Sequence, residues 1–392
     1  MRQTLIVLII LLAGCGRLPT PRGIDPSCPA TRCDWSSLDQ LVDSATGHGA
    51  VPGAVVGISR RGSRYIHGSG VLGLGQPGRP DARSIYDLAS LTKVIALTTG
   101  IMLAVDEGLL DLDRPLQQYL AAFTGEHKDR VTLRHLLTHT SGLPPHRRLW
   151  EETRSRPEAL VAVGRTPLDT TPGSRMAYSD LGAILLTQAL ERVTGTRIDS
   201  LLATRVFRPL GMMDTGWLPP HRWRDRIAPS ERDSWRARMV RGEVHDENAA
   251  WLDGVSGHAG LFGSATDLLT FGEWLLSGLN ENGTPAPSRF PFPPPRSLRA
   301  FIERQNIVVG SSRALGWDTP SPGSSAGDRL APSSFGHTGF TGTSIWIDPS
   351  RQLVIVVLTN RVHPTRENTA HAPLRRAVAD RIVDLLEPRQ PE

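Results

Sequence analysis

Two β-rich runs at opposite ends of the chain restrict the fold more than anything between them. Gly53-Ala54-Val55-Val56-Gly57-Ile58 reads as a strand, Arg61-Gly62 as a tight turn and Arg64-Tyr65-Ile66-His67-Gly68 as the returning strand. Towards the other end, Phe340 to Ile347 and Leu353 to Thr359 form a second β-rich pair joined by Asp348-Pro349-Ser350. An isolated hairpin is marginal in water, so the two pairs are expected to share one antiparallel sheet. The chain must then close on itself, with helices flanking the sheet and a mostly helical insertion over roughly residues 105–330. The fold class expected is α/β of the α+β kind, in a single domain over residues 37–388.

Helical spacing fills the interval. Leu38, Leu41 and Val42 open the folded part near Ser37, and an apolar stretch runs from Ser90 through Leu103 to a stop at Gly108. Thr132 caps a short helix holding Leu133, Leu136 and Leu137, ended by Ser141-Gly142; Asp180 opens another that reaches Gly195; Ala377 to Leu386 closes the chain. Thr284 to Pro295 and Ser321 to Ser325 are loops by composition.

The N-terminus carries a separate message. Arg2 precedes Leu5-Ile6-Val7-Leu8-Ile9-Ile10-Leu11-Leu12, an apolar run too short to span a bilayer, so residues 1–14 read as an export signal. Leu12-Ala13-Gly14-Cys15 resembles the bacterial lipobox, which implies that Cys15 receives lipid and becomes the mature N-terminus. Gly16 is not the aspartate that usually keeps Gram-negative lipoproteins at the inner membrane. The expectation is a cell-envelope protein facing the periplasm or exterior, on the outer membrane if the cell is Gram-negative. Residues 15–36 form a Pro-rich tether, and the compartment permits Cys28 and Cys33 to pair. Basic residues number 44 and acidic ones 39, interspersed without a basic stripe, so no nucleic-acid partner is expected.

Only two of the basic residues, Lys93 and Lys128, are lysines. Lys93 follows Ser90 by three positions at the start of an apolar helix, in Leu88-Ala89-Ser90-Leu91-Thr92-Lys93. Positions i and i+3 share a helix face, and a helix N-terminus offers unpaired N–H groups. A serine hydroxyl needs a base, and a lysine pressed into apolar surroundings is expected to lose enough pKa to serve. Further along, Ala177-Tyr178-Ser179-Asp180 places one of four tyrosines at a helix start. Phe335-Gly336-His337-Thr338-Gly339-Phe340 reads as a strand whose glycines admit another backbone, an edge on which an extended substrate can pair. The N–H groups of Ser90 and Phe340 are candidates for an oxyanion hole.

Ser90-x-x-Lys93, Tyr178-Ser179-Asp180 and His337-Thr338-Gly339, in this order, resemble the three signatures of the serine β-lactamase and penicillin-binding DD-peptidase superfamily. The branch most similar is that of the class C β-lactamases with their esterase and D-peptidase relatives. The likeness extends to Thr132 through Leu143, Gly257-His258-Ala259-Gly260-Leu261-Phe262 and Leu358-Thr359-Asn360-Arg361. It implies an acyl-enzyme on Ser90, with Lys93 as proton acceptor or electrostatic partner and Tyr178 as the base that later activates water. Asp180, His337, Thr338, Gly339 and Phe340 would line the substrate site, with no cofactor and no metal. The substrate implied is a small molecule or peptide: an ester, an amide of a D-residue, a peptidoglycan fragment or a β-lactam; the alternative from another class is a catalytically idle lipoprotein that binds peptidoglycan or a partner protein. Two departures matter. Asp180 stands where the family more often has asparagine, whose amide donates to substrate; an ionised aspartate cannot, though it could hold Lys93 charged. His337 replaces a lysine common in β-lactamases, exchanging a permanent charge for one expected to titrate near neutral pH, which favours ester or D-peptide substrates.

Three segments compete for attention. Gly323-Ser324-Ser325-Ala326-Gly327 matches a G-x-S-x-G elbow literally but lies in a loose loop. His135 and His139 have zinc-like spacing without the glutamate or a third ligand, and read as structural. His245-Asp246-Glu247-Asn248 reads as a loop at the pocket rim with no assigned role.

Overall fold

The structure is a computed structural model that describes residues 30, 33–75, 78–279 and 289–387. The signal, Cys15 and Cys28 lie outside the described residues. Strands β1 (Gly53–Arg60), β2 (Ser63–Gly70), β3 (Ile85–Asp87), β4 (Arg232–Asp233), β5 (Arg238–Met239), β6 (Phe262–Ser264), β7 (Phe335–Thr338), β8 (Ser344–Asp348) and β9 (Leu353–Thr359) follow in chain order. Five of them build one antiparallel sheet in the order β2-β1-β9-β8-β7, with β1 paired to β9 through Val56↔Val357 and Ile58↔Ile355. The two ends of the chain are thus central neighbours. At the β1–β2 turn Arg61 and Gly62 both take positive φ, 50° and 79°, as a two-residue hairpin turn with right-handed strand twist requires.

Side chains alternate across a strand, and here both faces are buried, which explains why the strands read as continuous apolar runs. Ala54, Val56, Ile58, Leu353, Ile355 and Val357 pack with Leu38, Val42, Val378 and Ile382 from the terminal helices Ser36–Gly47 and Ala372–Leu386. Val55, Val354, Val356 and Leu358 face the other way, into a larger core with Leu268 and Leu269 of the helix Ala265–Ser277. The helices at 99–106, 133–137 and 180–194 extend that second core away from the sheet.

Two sequence expectations need correction. The run from Phe340 to Ile347 is not one strand: β7 ends at Thr338 and β8 begins at Ser344, and residues 339–343 turn between them. The turn is pinned onto the segment before Ser90, where Thr341 and Thr343 donate their hydroxyls to the carbonyls of Asp87 and Leu88 at 2.7 and 3.1 Å. The helix after Ser90 is also not uniform, since Lys93–Thr98 is a π-helical turn that precedes the α-helix Thr99–Asp106. Such single turns concentrate at functional sites.

Candidate active site

Asp87 ends β3, and its buried carboxylate accepts from Ala89 N at 2.8 Å and from His245 N at 2.7 Å. Ala89 is thereby held at φ 46°, a strained value for a residue with a side chain. The bend turns Ser90 out at the head of the π-helical turn, where it lines a cavity of about 740 Å³. Lys93, 3% exposed, sends its ammonium to Ser90 Oγ at 3.1 Å, to the His258 carbonyl at 2.9 Å and to Asp180 Oδ1 at 2.7 Å. The same ammonium lies 4.9 Å from the centre of the Tyr178 ring. The structure therefore brings Ser90, Lys93, Tyr178 and Asp180 together.

The electrostatics differ from expectation at two points. Burial alone would lower the Lys93 pKa, but Asp180 and then Tyr178 outweigh it, so the lysine is held more basic than usual and stays charged. Asp180, where an amide donor is more usual, is the group that keeps it so. His337 is not a neutral-pH titrating group either. Burial, then the charges of Arg313 and Lys93, push its pKa well below the usual range. Its Nδ1–H donates to the Thr338 carbonyl at 2.8 Å, and Nε2 accepts from the Arg313 guanidinium at 3.3 Å. Arg313 also stands 5.3 Å over the Tyr178 ring. A permanent cation is thus present beside position 337, supplied from a different segment.

Tyr178 is enclosed by His139, whose ring centre is 4.4 Å away and whose Nδ1 accepts from Ser179 N at 3.2 Å. Its hydroxyl is buried with no hydrogen-bond partner among the described residues. His135 turns elsewhere, closing a capping box with Thr132, so the two histidines share no ligand geometry. Ser325 accepts from the Trp346 indole at 3.0 Å, outside the cavity lining.

Neither the Ser90 nor the Phe340 backbone N–H makes a hydrogen bond among the described residues. Gly339 lets the turn before Phe340 lie close to the segment before Ser90, since an added Cβ would stand 2.5 Å from the Leu88 carbonyl and 2.1 Å from Thr343 Oγ1. The outer edge of β7 is partly occupied, because Gly336 exchanges both backbone hydrogen bonds with Asp318 at 2.9 Å. An extended substrate has only the segment past Thr338 to pair with, which is shorter than the sequence suggested.

The rim loop with no assigned role joins the cavity walls. His245 stacks on Phe340 with ring centres 5.7 Å apart and pairs with Glu231 at 2.8 Å. Against burial, His245 and Arg366 hold the Glu231 carboxyl down to about 2. Glu247 pairs with Arg366 at 2.7 Å, and Asn248 receives Leu149 N at 3.0 Å while donating to the Arg147 carbonyl at 2.8 Å. Opposite lie the indoles of Trp150 and Trp235, ring centres 6.2 Å apart. Arg313 and these indoles were not singled out in the sequence, because nothing local distinguishes them from surface or core residues of the same type; His258 entered only as part of the 257–262 likeness.

A cavity bounded by a buried Ser–Lys pair, a tyrosine and a terminal edge strand describes an acyl-transferring serine enzyme. The sequence profile described as Beta-lactamase matches residues 38–380, so the chain belongs to the β-lactamase family of serine hydrolases. It is similar to a putative D-alanyl-D-alanine carboxypeptidase of Salmonella typhi, 29% identical over 320 residues covering 74% of this chain and 72% of that protein. Among solved structures it resembles EstCE1, described as a hydrolase with promiscuous acyltransferase activity, at 24% identity and TM-score 0.68 over 89% of this chain and 98% of the other. It also resembles a β-lactamase/D-alanine carboxypeptidase from Pseudomonas syringae, at 19% identity and TM-score 0.68 over 91% and 100%. At these identities the two structures speak to the fold alone.

Proposed function

We propose that this protein is an exported, lipid-anchored D-amino-acid peptidase that forms an acyl-enzyme on Ser90 and releases a residue bearing a carboxylate. The observation that carries the reading is Lys93, held between Ser90 Oγ and Asp180 Oδ1 at 3.1 and 2.7 Å with the Tyr178 ring alongside. With Lys93 charged, the group left to take the Ser90 proton is Tyr178, which accepts it as the phenolate. Ser90 Oγ then bonds to the substrate carbonyl carbon, the C–N bond breaks, and the same proton passes to the departing nitrogen. Water attacks the ester next, releasing the acid and restoring Ser90. A leaving group within reach of Tyr178 is also beside Arg313, whose fixed charge suits an α-carboxylate. That cation favours a leaving group with a carboxylate over a simple ester, and the carboxypeptidase name borne by the Salmonella relative agrees. A second reading, esterase, is favoured by Asp180, which withholds the amide donor that a peptide carbonyl would use.

The test is a substrate panel on purified protein: a D-Ala-D-Ala-terminated peptide, p-nitrophenyl butyrate and nitrocefin. The peptide is expected to give the highest kcat/KM, and Ser90→Ala to abolish all turnover while Ser325→Ala does not. Highest efficiency on nitrocefin would make it a β-lactamase, and on the ester an esterase. The anchor has its own check. Cys15→Ser should move the protein from the membrane to the soluble fraction, since an acyl chain contributes about 0.8 kcal/mol per buried methylene. Continued sedimentation of the variant with membranes would refute lipidation.

A further inference from the structure

The rim motif holds one side chain that no step above uses. Asp246 caps the helix Glu247–Trp251, its Oδ1 accepting from Ala249 N at 2.7 Å. The same oxygen accepts from His258 Nε2 at 2.9 Å, and His258 Nδ1 receives the Ser256 hydroxyl at 2.7 Å. His258 is 1% exposed, and it is the residue whose carbonyl holds Lys93 at 2.9 Å. Ser256 is buried and does not line the cavity, so this Ser–His–Asp chain does not end in a nucleophile. Asp246 does line it, on the same cavity as Ser90.

We infer that Asp246 and His258, braced by Ser256, are positioning residues that aim Lys93 at Ser90. The inference rests on the acyl-enzyme reading above. A carbonyl can fix a lysine only if its own residue cannot swing, and His258 is clamped at both ring nitrogens. Without the Asp246 acceptor, Nε2–H would be a buried donor left unpaired, at a cost that favours rotation of the ring and movement of the loop. Lys93 would then keep Asp180 but lose its second anchor, and the ammonium would drift from Ser90 Oγ.

The pair also contributes charge. The groups facing Lys93 are Ser90 on its own turn, Tyr178 and Asp180 on the 178–180 segment, and the His258 carbonyl; His139, His337 and Asp246 lie within its field, and Arg313 acts on the same two histidines. Asp246 is the second carboxylate of that set.

The experiment measures labelling of the full-length protein by a fluorophosphonate, in which Ser90 Oγ bonds to phosphorus, the P–F bond breaks, fluoride leaves and the serine proton goes to the base. Rates at saturating probe, half-saturating concentrations and melting temperatures are compared for wild type, Asp246→Ala, Asp246→Asn and His258→Gln. Asp246→Ala removes the acceptor and is expected to slow the saturated rate about tenfold or more while leaving half-saturation within about twofold. Asp246→Asn keeps an amide oxygen that can accept from Nε2–H and should restore most of the rate. His258→Gln loses the clamped ring and should slow the rate. Wild-type rates in Asp246→Ala and His258→Gln overturn the inference, as does a loss that Asp246→Asn fails to relieve or that only tracks melting temperature or half-saturation. Ser90→Ala is run alongside. Labelling that survives it refutes the acyl-enzyme reading, whereas its disappearance with unaffected Asp246 and His258 variants refutes this inference alone.

Discussion

Arg313 shows how one side chain changes the reading of its neighbours. Its guanidinium contacts His337 Nε2 at 3.3 Å, lies over Tyr178 at 5.3 Å and faces Asp318 at 3.8 Å, while its Nε is buried without a hydrogen-bond partner among the described residues. A charge so placed helps to keep His337 neutral and, on the peptidase reading, offers a partner for a substrate carboxylate. Arg313→Gln separates them. A lost charge-assisted hydrogen bond costs about 1.5–3 kcal/mol, so kcat/KM on a D-Ala-D-Ala peptide should fall roughly 10- to 100-fold. Turnover of p-nitrophenyl butyrate, whose leaving group has no carboxylate, should fall less than about threefold. Equal losses on both substrates would show that Arg313 serves Tyr178 and not the carboxylate.

At the scale of elements, what the sequence revealed depended on how local the cause was. The β1–β2 hairpin and the capped helix Asp180–Thr194 were legible because each is specified within its own residues: Arg61-Gly62 for the turn, Ser179 at the N-cap and Gly195 in the left-handed conformation at the C-terminus. Ser90, Lys93, Tyr178 and Asp180 could be singled out for a similar reason, since each belongs to a short signature. The strand boundary at Thr338 was not: Gly339 and Gly342, the latter at φ 104°, are local turn signals, but the turn is fixed by contacts with Asp87 and Leu88, far away in sequence. Arg313 was invisible among the many arginines, since its meaning comes only from the proximity of Tyr178 and His337. For Lys93 the sequence offered two opposed causes, apolar neighbours that depress its pKa and an Asp180 carboxylate that could hold it charged, and only the structure shows that Asp180 prevails.

Across the whole molecule, several histidines are built into the interior as neutral rings, and this sets how the protein responds to acid. His139 and His337 have pKa values well below normal, each through burial first and then Arg313 and Lys93. His363 is lowered by burial, and His371 to about 4 by burial and the charges of Arg375 and Arg361. In the unfolded chain each would titrate near 6.5. Below that pH the unfolded state binds protons that the folded state refuses, so stability is complete above about 6.5 and falls as the pH drops towards each folded value. Three carboxyls act in the opposite sense. Asp267, raised to about 6 by burial, and Asp87 and Glu191, also raised by burial, bind a proton more readily folded than unfolded and offset part of the histidines' contribution. Glu231, held down to about 2, loses its contribution only below about 4.5, outside this window. The unfolding free energy should therefore decrease from pH 7 to pH 5, each buried histidine contributing up to about 1.4 kcal/mol per pH unit. His371→Gln makes the comparison internal, because His371 does not line the active-site cavity. Urea unfolding at pH 7, 6 and 5 should give the variant a shallower dependence by nearly one proton, and equal slopes for the two proteins would mean that His371 is protonated in the folded state.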